Sequence, residues 1–233
     1  GSFQSLSAVY TLGLTFIILM LLPLLPNDLF APYFSTERLM DEQFVTISFL
    51  ISIFLIAEGV LILTAKKNHL FPSLKLSERG IWIGEQQLKR MAFIPFLVFI
   101  PGGNSQNIIP ILPYFQHGNE TYYLAFVPFV LGTQFMIRTQ YGETVKSVIG
   151  KQKIWLAILV MSLSVLSYFY FIFALLPIII AIIGNEWITY RNRTRNMYGK
   201  PILAPTDEGV KVVETLPNSK AEELEILPGE IIT

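Results

Sequence analysis

The chain has 233 residues, 52% of them hydrophobic and 15% charged, with 17 basic and 17 acidic side chains and no cysteine. With a mean hydropathy of +0.53, so few charges place it in the polytopic membrane class rather than among soluble domains. Zero net charge gives no ground for nucleic-acid binding, and the cysteine count excludes disulfides, thiolate metal sites and cysteine nucleophiles.

The opening Gly1-Ser2 carries no initiator methionine and reads as a cloning remnant, so the native chain is expected to extend upstream. A helix needs about 20 mostly apolar residues to cross roughly 30 Å of hydrocarbon. Residues 6–25 and 44–64 meet that length. Residues 93–115 are apolar but interrupted by PGGNSQN, 101–107. That interruption reads as the top of a short helix followed by an outer loop, with a broken helix lining a substrate path as the alternative. Residues 122–137 form a shorter apolar run whose leading aromatics suit a headgroup boundary. The block 154–184, with its flank to Tyr190, covers about 37 residues and on the order of 55 Å of helix. It is expected to make two passes joined near 167–173, one helix kinked at Pro177 being the alternative.

Charge orients these runs, because Lys and Arg near span ends favour the cytoplasm. Residues 65–91 carry Lys66, Lys67, Lys75, Arg79, Lys89 and Arg90, and 138–153 carry Arg138, Lys146, Lys151 and Lys153, so both read as internal. Residues 27–43 hold four acids against Arg38, and 102–121 lack Lys and Arg, so both read as external. The basic run 191–200 returns the chain to the inside, which requires an even number of passes after Lys153 and favours the hairpin. The expected fold class is an all-α polytopic membrane bundle of about six transmembrane helices over 1–190, a basic cytoplasmic linker over 191–200, and a mainly β cytoplasmic segment over 201–233. Both ends then lie in the cytoplasm of a multi-pass cell-membrane protein.

Catalytic signals are lacking. His69 and His117 are expected on opposite sides of the bilayer, Asp28, Asp41 and Asp207 fall outside the spans, and no HExxH, GxSxG or phosphate-cradling loop occurs. A non-enzyme without cofactor or metal is expected. Glu58, in LIAEGVLIL, is the acid well inside a clear span, and an ionisable group there is costly unless paired. It reads as a proton or ion site or, preferred here, as an interhelical clamp to Gln134, Arg138 or Arg90, because a transporter would normally show more such residues and inverted repeats. Ser162, Ser164 and Ser167 suit close helix packing. The sequons at Asn119 and Asn192 fall on opposite sides and read as chance. The basic tail 191–195 could touch anionic lipid or a partner, although topology already explains it.

After Gly209 the pattern changes. An alternating β-branched stretch, a PNS turn, one helical turn and LPGEII follow in order. Gly209, Val210, Val212, Pro217, Ser219, Ala221, Pro228, Gly229, Glu230 and Ile231 fall in a frame that resembles the first half of a bacterial PDZ domain. Asn218, Lys220, Glu225 and Glu230 depart from its usual residues. A PDZ domain binds an extended C-terminal peptide as an added strand, and the helix forming the other groove wall would lie beyond Thr233. A multi-helix membrane part followed by such a segment, with SAVYTLGL near the start and LSERGIWIGEQQLKRMAFIP in an internal loop, resembles the MinJ-type topological determinants of cell division. That resemblance implies additional upstream helices and enrichment at septum and poles. It also implies an adaptor role that bridges the polar scaffold DivIVA to the ATPase MinD. On this view the loop residues Lys75, Arg79, Trp82, Glu85 and Lys89 form an interaction surface, the bilayer and protein partners are the ligands, and self-association is compatible. The competing readings are a small secondary transporter with a regulatory tail and the membrane part of a PDZ-bearing protease.

Overall fold

The computed structural model describes residues 7–21, 41–66, 69–76, 80, 82–101, 113–117, 120–204, 209–215 and 219–232. The chain divides into two compact units: Gly1–Arg90 with Gly132–Thr233, and Met91–Leu131.

In the first unit, helices α1 (Ala8–Leu21), α2 (Asp41–Leu63), α3 (Gly142–Phe169) and α4 (Leu176–Tyr198) pack together, α2 against α3 most extensively. Their shared core is Val9 and Phe16 of α1, Ile51 and Leu55 of α2, Ala157 and Val160 of α3, and Ile178 and Ala181 of α4. The outward faces are apolar as well, with Leu14, Ile53, Val60, Ile158, Val165, Ile179 and Ile183 exposed. Helices hydrophobic all round suit a lipid surrounding or a larger core rather than an aqueous face. Two of them, α2 over Val45–Leu63 and α3, are long and apolar enough to cross a membrane. The α2–α3 approach depends on glycine. A Cβ on Gly59 or on Gly150 would stand 3.2 Å from the other's carbonyl oxygen and closer still to Ile154 or Leu63, so small residues let the two backbones close. Of the three serines expected to pack helices, Ser164 and Ser167 are buried and donate back to Val160 O and Leu163 O, while Ser162 is exposed.

The block 154–190 is two helices. α3 stops at Phe169, a 3-10 turn covers Phe171–Phe173, and Pro177 sits in the first turn of α4, where its missing N–H costs nothing. Ser167 Oγ also donates to Phe173 O (3.0 Å), which stitches the turn.

The all-α expectation is overturned. Among the described residues, 93–101, 114–115 and 122–137 are not spanning helices; they belong to strands β2 (Trp82–Pro101), β3 (Tyr114–His117) and β4 (Glu120–Ile137), while the PGGNSQN interruption lies, beyond Pro101, outside the described residues. With β1 (Leu70–Leu76) these form a four-stranded sheet in the order β1-β2-β4-β3, with β1–β2 and β3–β4 antiparallel. The protein is therefore mixed α/β. In the second unit, exposure alternates residue by residue from Met91 to Val98, the two-residue period of a strand. Phe, Ile, Val and Tyr favour that conformation, and Pro95, Pro101 and Pro128 would interrupt a helix. Among the described residues β1 pairs with β2 only up to Leu88 and β3 with β4 only up to Tyr123. Pro95 and Pro128 thus fall where one strand edge carries no ladder. Phe93 and Phe126 bring their rings to 6.2 Å within this unit.

Back in the first unit, a second core joins the end of α2 (Ile62, with Ala65 beyond it) to Leu70 of β1, Leu88 of β2, Phe135 and Ile137 of β4, Val145 and Ile149 of α3, and Ile188 of α4. The stretch expected to be a linker, 191–200, is helical up to Tyr198 as the last turns of α4. The C-terminal segment forms a short pair, β5 (Val210–Lys211) with β6 (Ile231–Ile232), around the single-turn helix α5 (Lys220–Glu223).

Candidate functional site

Polar groups of the first unit gather where the start of α1, the end of α2, the first half of α3 and the base of the sheet meet. Glu58 lies on α2 with no exposure. Its Oε2 takes Lys153 Nζ at 2.5 Å, and its Oε1 accepts from Ser7 Oγ at 2.7 Å and from Ala8 N at 3.0 Å. The carboxylate therefore neutralises a buried lysine and caps the N-terminus of α1, satisfying an N–H that has no partner inside its own helix. Beside the pair is a cavity of about 20 Å³ lined by Gln134, Thr133 and Asn185 together with Ser7 and Lys153. Thr133 Oγ1 and Asn185 Oδ1, both buried, have no partner among the described residues, and the space is about that of one water molecule.

Glu58 thus joins α2 to α3 and to the start of α1, and its ionic partner is Lys153 rather than Arg138 or Arg90. Of the expected partners, Gln134 lines the adjoining cavity. Arg90 donates to Leu61 O and Thr64 Oγ1, both at 2.7 Å, and Lys146 donates to Ala65 O at 2.8 Å. Two cations from β2 and α3 therefore close the C-terminus of α2, which has no basic residue in its own last turn. Arg138 pairs with Glu85 at 2.8 Å.

Lys153 counts, in the sequence, only among the basic residues that orient 138–153, but it lies on a helix. Helix α3 begins at Gly142, and its buried stripe runs Val145, Ile149, Lys153, Ala157, Val160, Ser164, Ser167. That three-and-four spacing is visible in the sequence and would have put Lys153 on the inner face.

The expected interaction loop is a β-hairpin. Lys75 lies on β1, and Trp82, Glu85 and Lys89 lie on β2, while Arg79 is outside the described residues. Lys75, Trp82 and Lys89 are exposed, whereas Glu85 is buried and accepts from Arg138 Nε, Ser73 Oγ and Gln87 Nε2. Burial alone would raise the Glu85 carboxyl; the hydrogen bonds from Arg138, Gln87 and Ser73 and the Arg138 charge outweigh it and hold the carboxyl below the usual carboxylate range. Glu85 is thus a structural anchor of the hairpin.

Two amides that sequence reasoning did not single out fasten the remaining pieces. Asn196, near the end of α4, accepts from Arg138 N (3.0 Å) and donates to Met136 O (2.6 Å), pinning α4 to the end of β4. Gln86 accepts from Gly142 N at the start of α3 and donates to Val213 O and to Glu214 Oε2. The C-terminal segment is consequently docked on β2, with Gly84 N donating to Leu203 O at 3.0 Å.

Within that segment Val210 and Ile231 belong to the β5–β6 pair, which Gly209 directly precedes, and Val212 N donates to Glu230 O while Gly229 N donates to Val212 O. Ser219 caps α5, which contains Ala221; Pro228 and Gly229 form a turn with Gly229 at φ +96°, and Pro217 is outside the described residues. Glu225 takes φ 56°, the left-handed conformation that glycine adopts most readily. The described residues contain no metal-binding cluster of His, Asp or Glu.

No family model and no solved structure matches the sequence. The chain is similar to the cell division topological determinant MinJ of Bacillus subtilis (strain 168), with 24% identity over 183 residues, 78% of this chain and 46% of that protein. It therefore spans about half the length of the curated relative it matches.

Proposed function

We propose that the chain is the multi-pass membrane part of an adaptor for division-site selection, a non-catalytic protein that holds a cytoplasmic tail for protein partners. The likeness to MinJ over 78% of the chain carries this reading. In it α1 to α4 are embedded in the bilayer, both ends face the cytoplasm, and the tail after Gly209 is the start of a PDZ domain. The partners are a DivIVA-like polar scaffold and MinD, brought together at septum and poles. The bundle's design supports an anchoring role: its buried ion pair is locked between three helices, and the adjoining cavity of about 20 Å³ is too small for a transported solute.

The test is a fluorescent fusion of the full-length protein in its own cells, combined with co-purification. Expected are enrichment at septa and poles, misplaced septa on deletion, and capture of DivIVA and MinD. Uniform membrane fluorescence with normal septa would overturn the adaptor reading. Proton-coupled flux in vesicles that Glu58→Gln abolishes would replace it with transport.

A further inference from the structure

Between the first turns of α3 and the last turns of α4 lies a cavity of about 50 Å³. Its apolar wall is Val145, Ile149 and Ile188, all buried core residues, and its polar rim carries Arg191 and Arg195, with the amide of Gln152 opposite. The two arginines are one helical turn apart and therefore share a face. Both are exposed, and among the described residues neither has a carboxylate partner, whereas Arg138, Lys146 and Lys153 pair with Glu85, Glu143 and Glu58. The pair is spare positive charge beside an apolar wall.

The level of this cavity along the helices is marked independently. Trp155 of α3 and Trp187 and Tyr190 of α4 are 70%, 63% and 63% exposed. A Cβ on Gly184 would meet Leu156, so the Trp155 and Trp187 levels are adjacent on the antiparallel pair. Exposed Trp and Tyr on otherwise apolar helices sit at the headgroup boundary. Arg191 and Arg195 follow directly beyond that belt.

We propose that this groove binds the phosphodiester headgroup of an anionic phospholipid, the two guanidinium groups taking the phosphate and the valine and isoleucine wall taking the first methylenes of a chain. Guanidinium suits phosphate because its planar fork donates two parallel hydrogen bonds, and basic pockets between helices on the cytoplasmic side are where such headgroups lodge. The inference rests on the membrane-embedded reading of α3 and α4. In an adaptor, the groove would make retention of the bundle depend on local lipid composition.

The experiment reconstitutes the protein in phosphatidylcholine nanodiscs with and without phosphatidylglycerol, reading the thermal midpoint and, by native mass spectrometry, the lipid retained. Phosphatidylglycerol should raise the midpoint and stay bound in the wild type and in Arg193→Gln, a substitution on the same helix but off the groove. In Arg191→Gln/Arg195→Gln the apparent affinity should fall roughly tenfold or more. Equal loss in Arg193→Gln would reduce the effect to diffuse attraction and overturn the site. An equal shift from inorganic phosphate in phosphatidylcholine alone would overturn the lipid assignment. Lipid retention reads binding even if the double variant is less stable. Release of the protein from cell membranes by alkaline wash would overturn the embedded reading itself, while a retained protein with no lipid-dependent shift would overturn the groove alone.

Discussion

The Glu58–Lys153 pair offers the sharpest test of the bundle, because both side chains are almost completely excluded from solvent, at 0% and 4%. Lys153→Met leaves the carboxylate with the Ser7 hydroxyl and the Ala8 N–H but no cation, and an uncompensated buried charge costs about 3–5 kcal/mol. Glu58→Gln is no milder. Its amide oxygen can still accept from Ser7 and Ala8, yet its NH₂ then faces the Lys153 ammonium, donor against donor. The double variant Glu58→Gln/Lys153→Met removes both charges and keeps the cap on α1. It should therefore be more stable than the sum of the singles by about 0.5–3 kcal/mol, the range for residues in contact. Exchanging the charges should fail, because Ser7 and Ala8 present donors to whatever stands at position 58. Thermal unfolding of the purified protein in phosphatidylcholine nanodiscs measures each step. Additive single variants, each costing under about 1 kcal/mol, would refute the reasoning and would match the weaker average of interhelical hydrogen bonds in membranes.

Glu85 makes stability depend on acid. Its folded carboxyl is held below the usual range, so the stability it contributes is present above that ordinary range and is lost as pH falls through the folded value. The difference in unfolding midpoint between wild type and Glu85→Gln should accordingly shrink toward zero on acidification; a difference constant with pH would contradict it. Gly150→Val should cost about 1–3 kcal/mol by overpacking the α2–α3 contact, detectable as a lower midpoint; an unchanged midpoint would show that the helices can separate freely. Asn196→Ala should strand Arg138 N and Met136 O at about 1–3 kcal/mol each, and hydrogen exchange at Arg138 and at Ile202, whose N–H bonds Arg138 O, should accelerate. Cysteine labelling in intact cells should place Thr144→Cys and Tyr198→Cys on one side and Ser35→Cys on the other; labelling of all three from outside would refute the four-pass arrangement.

Four helical runs, the turn after Phe169 and the weight of Glu58 were legible in the sequence, because each rests on a pattern along the chain: the length of an apolar stretch, the return of basic residues after it, or an acid where acids are costly. The site was only half legible. Lys153 could have been found from the helical stripe it completes, but its union with Glu58 joins residues 95 positions apart, and nothing in the spacing of either one names the other. The same holds for Arg138 with Glu85, for Asn196 with the end of β4, and for Gln86 with the C-terminal segment. The identity of residues 93–115 and 122–137 was likewise decided by tertiary structure. Apolar residues occupy both faces, so hydrophobicity shows one continuous run and hides the two-residue period that exposure reveals from Met91 to Val98. By itself the sequence determined where the apolar runs lie. Only the tertiary structure decided whether an apolar run satisfies its backbone within one helix or with a neighbouring strand, because those hydrogen bonds lie between segments and not along them.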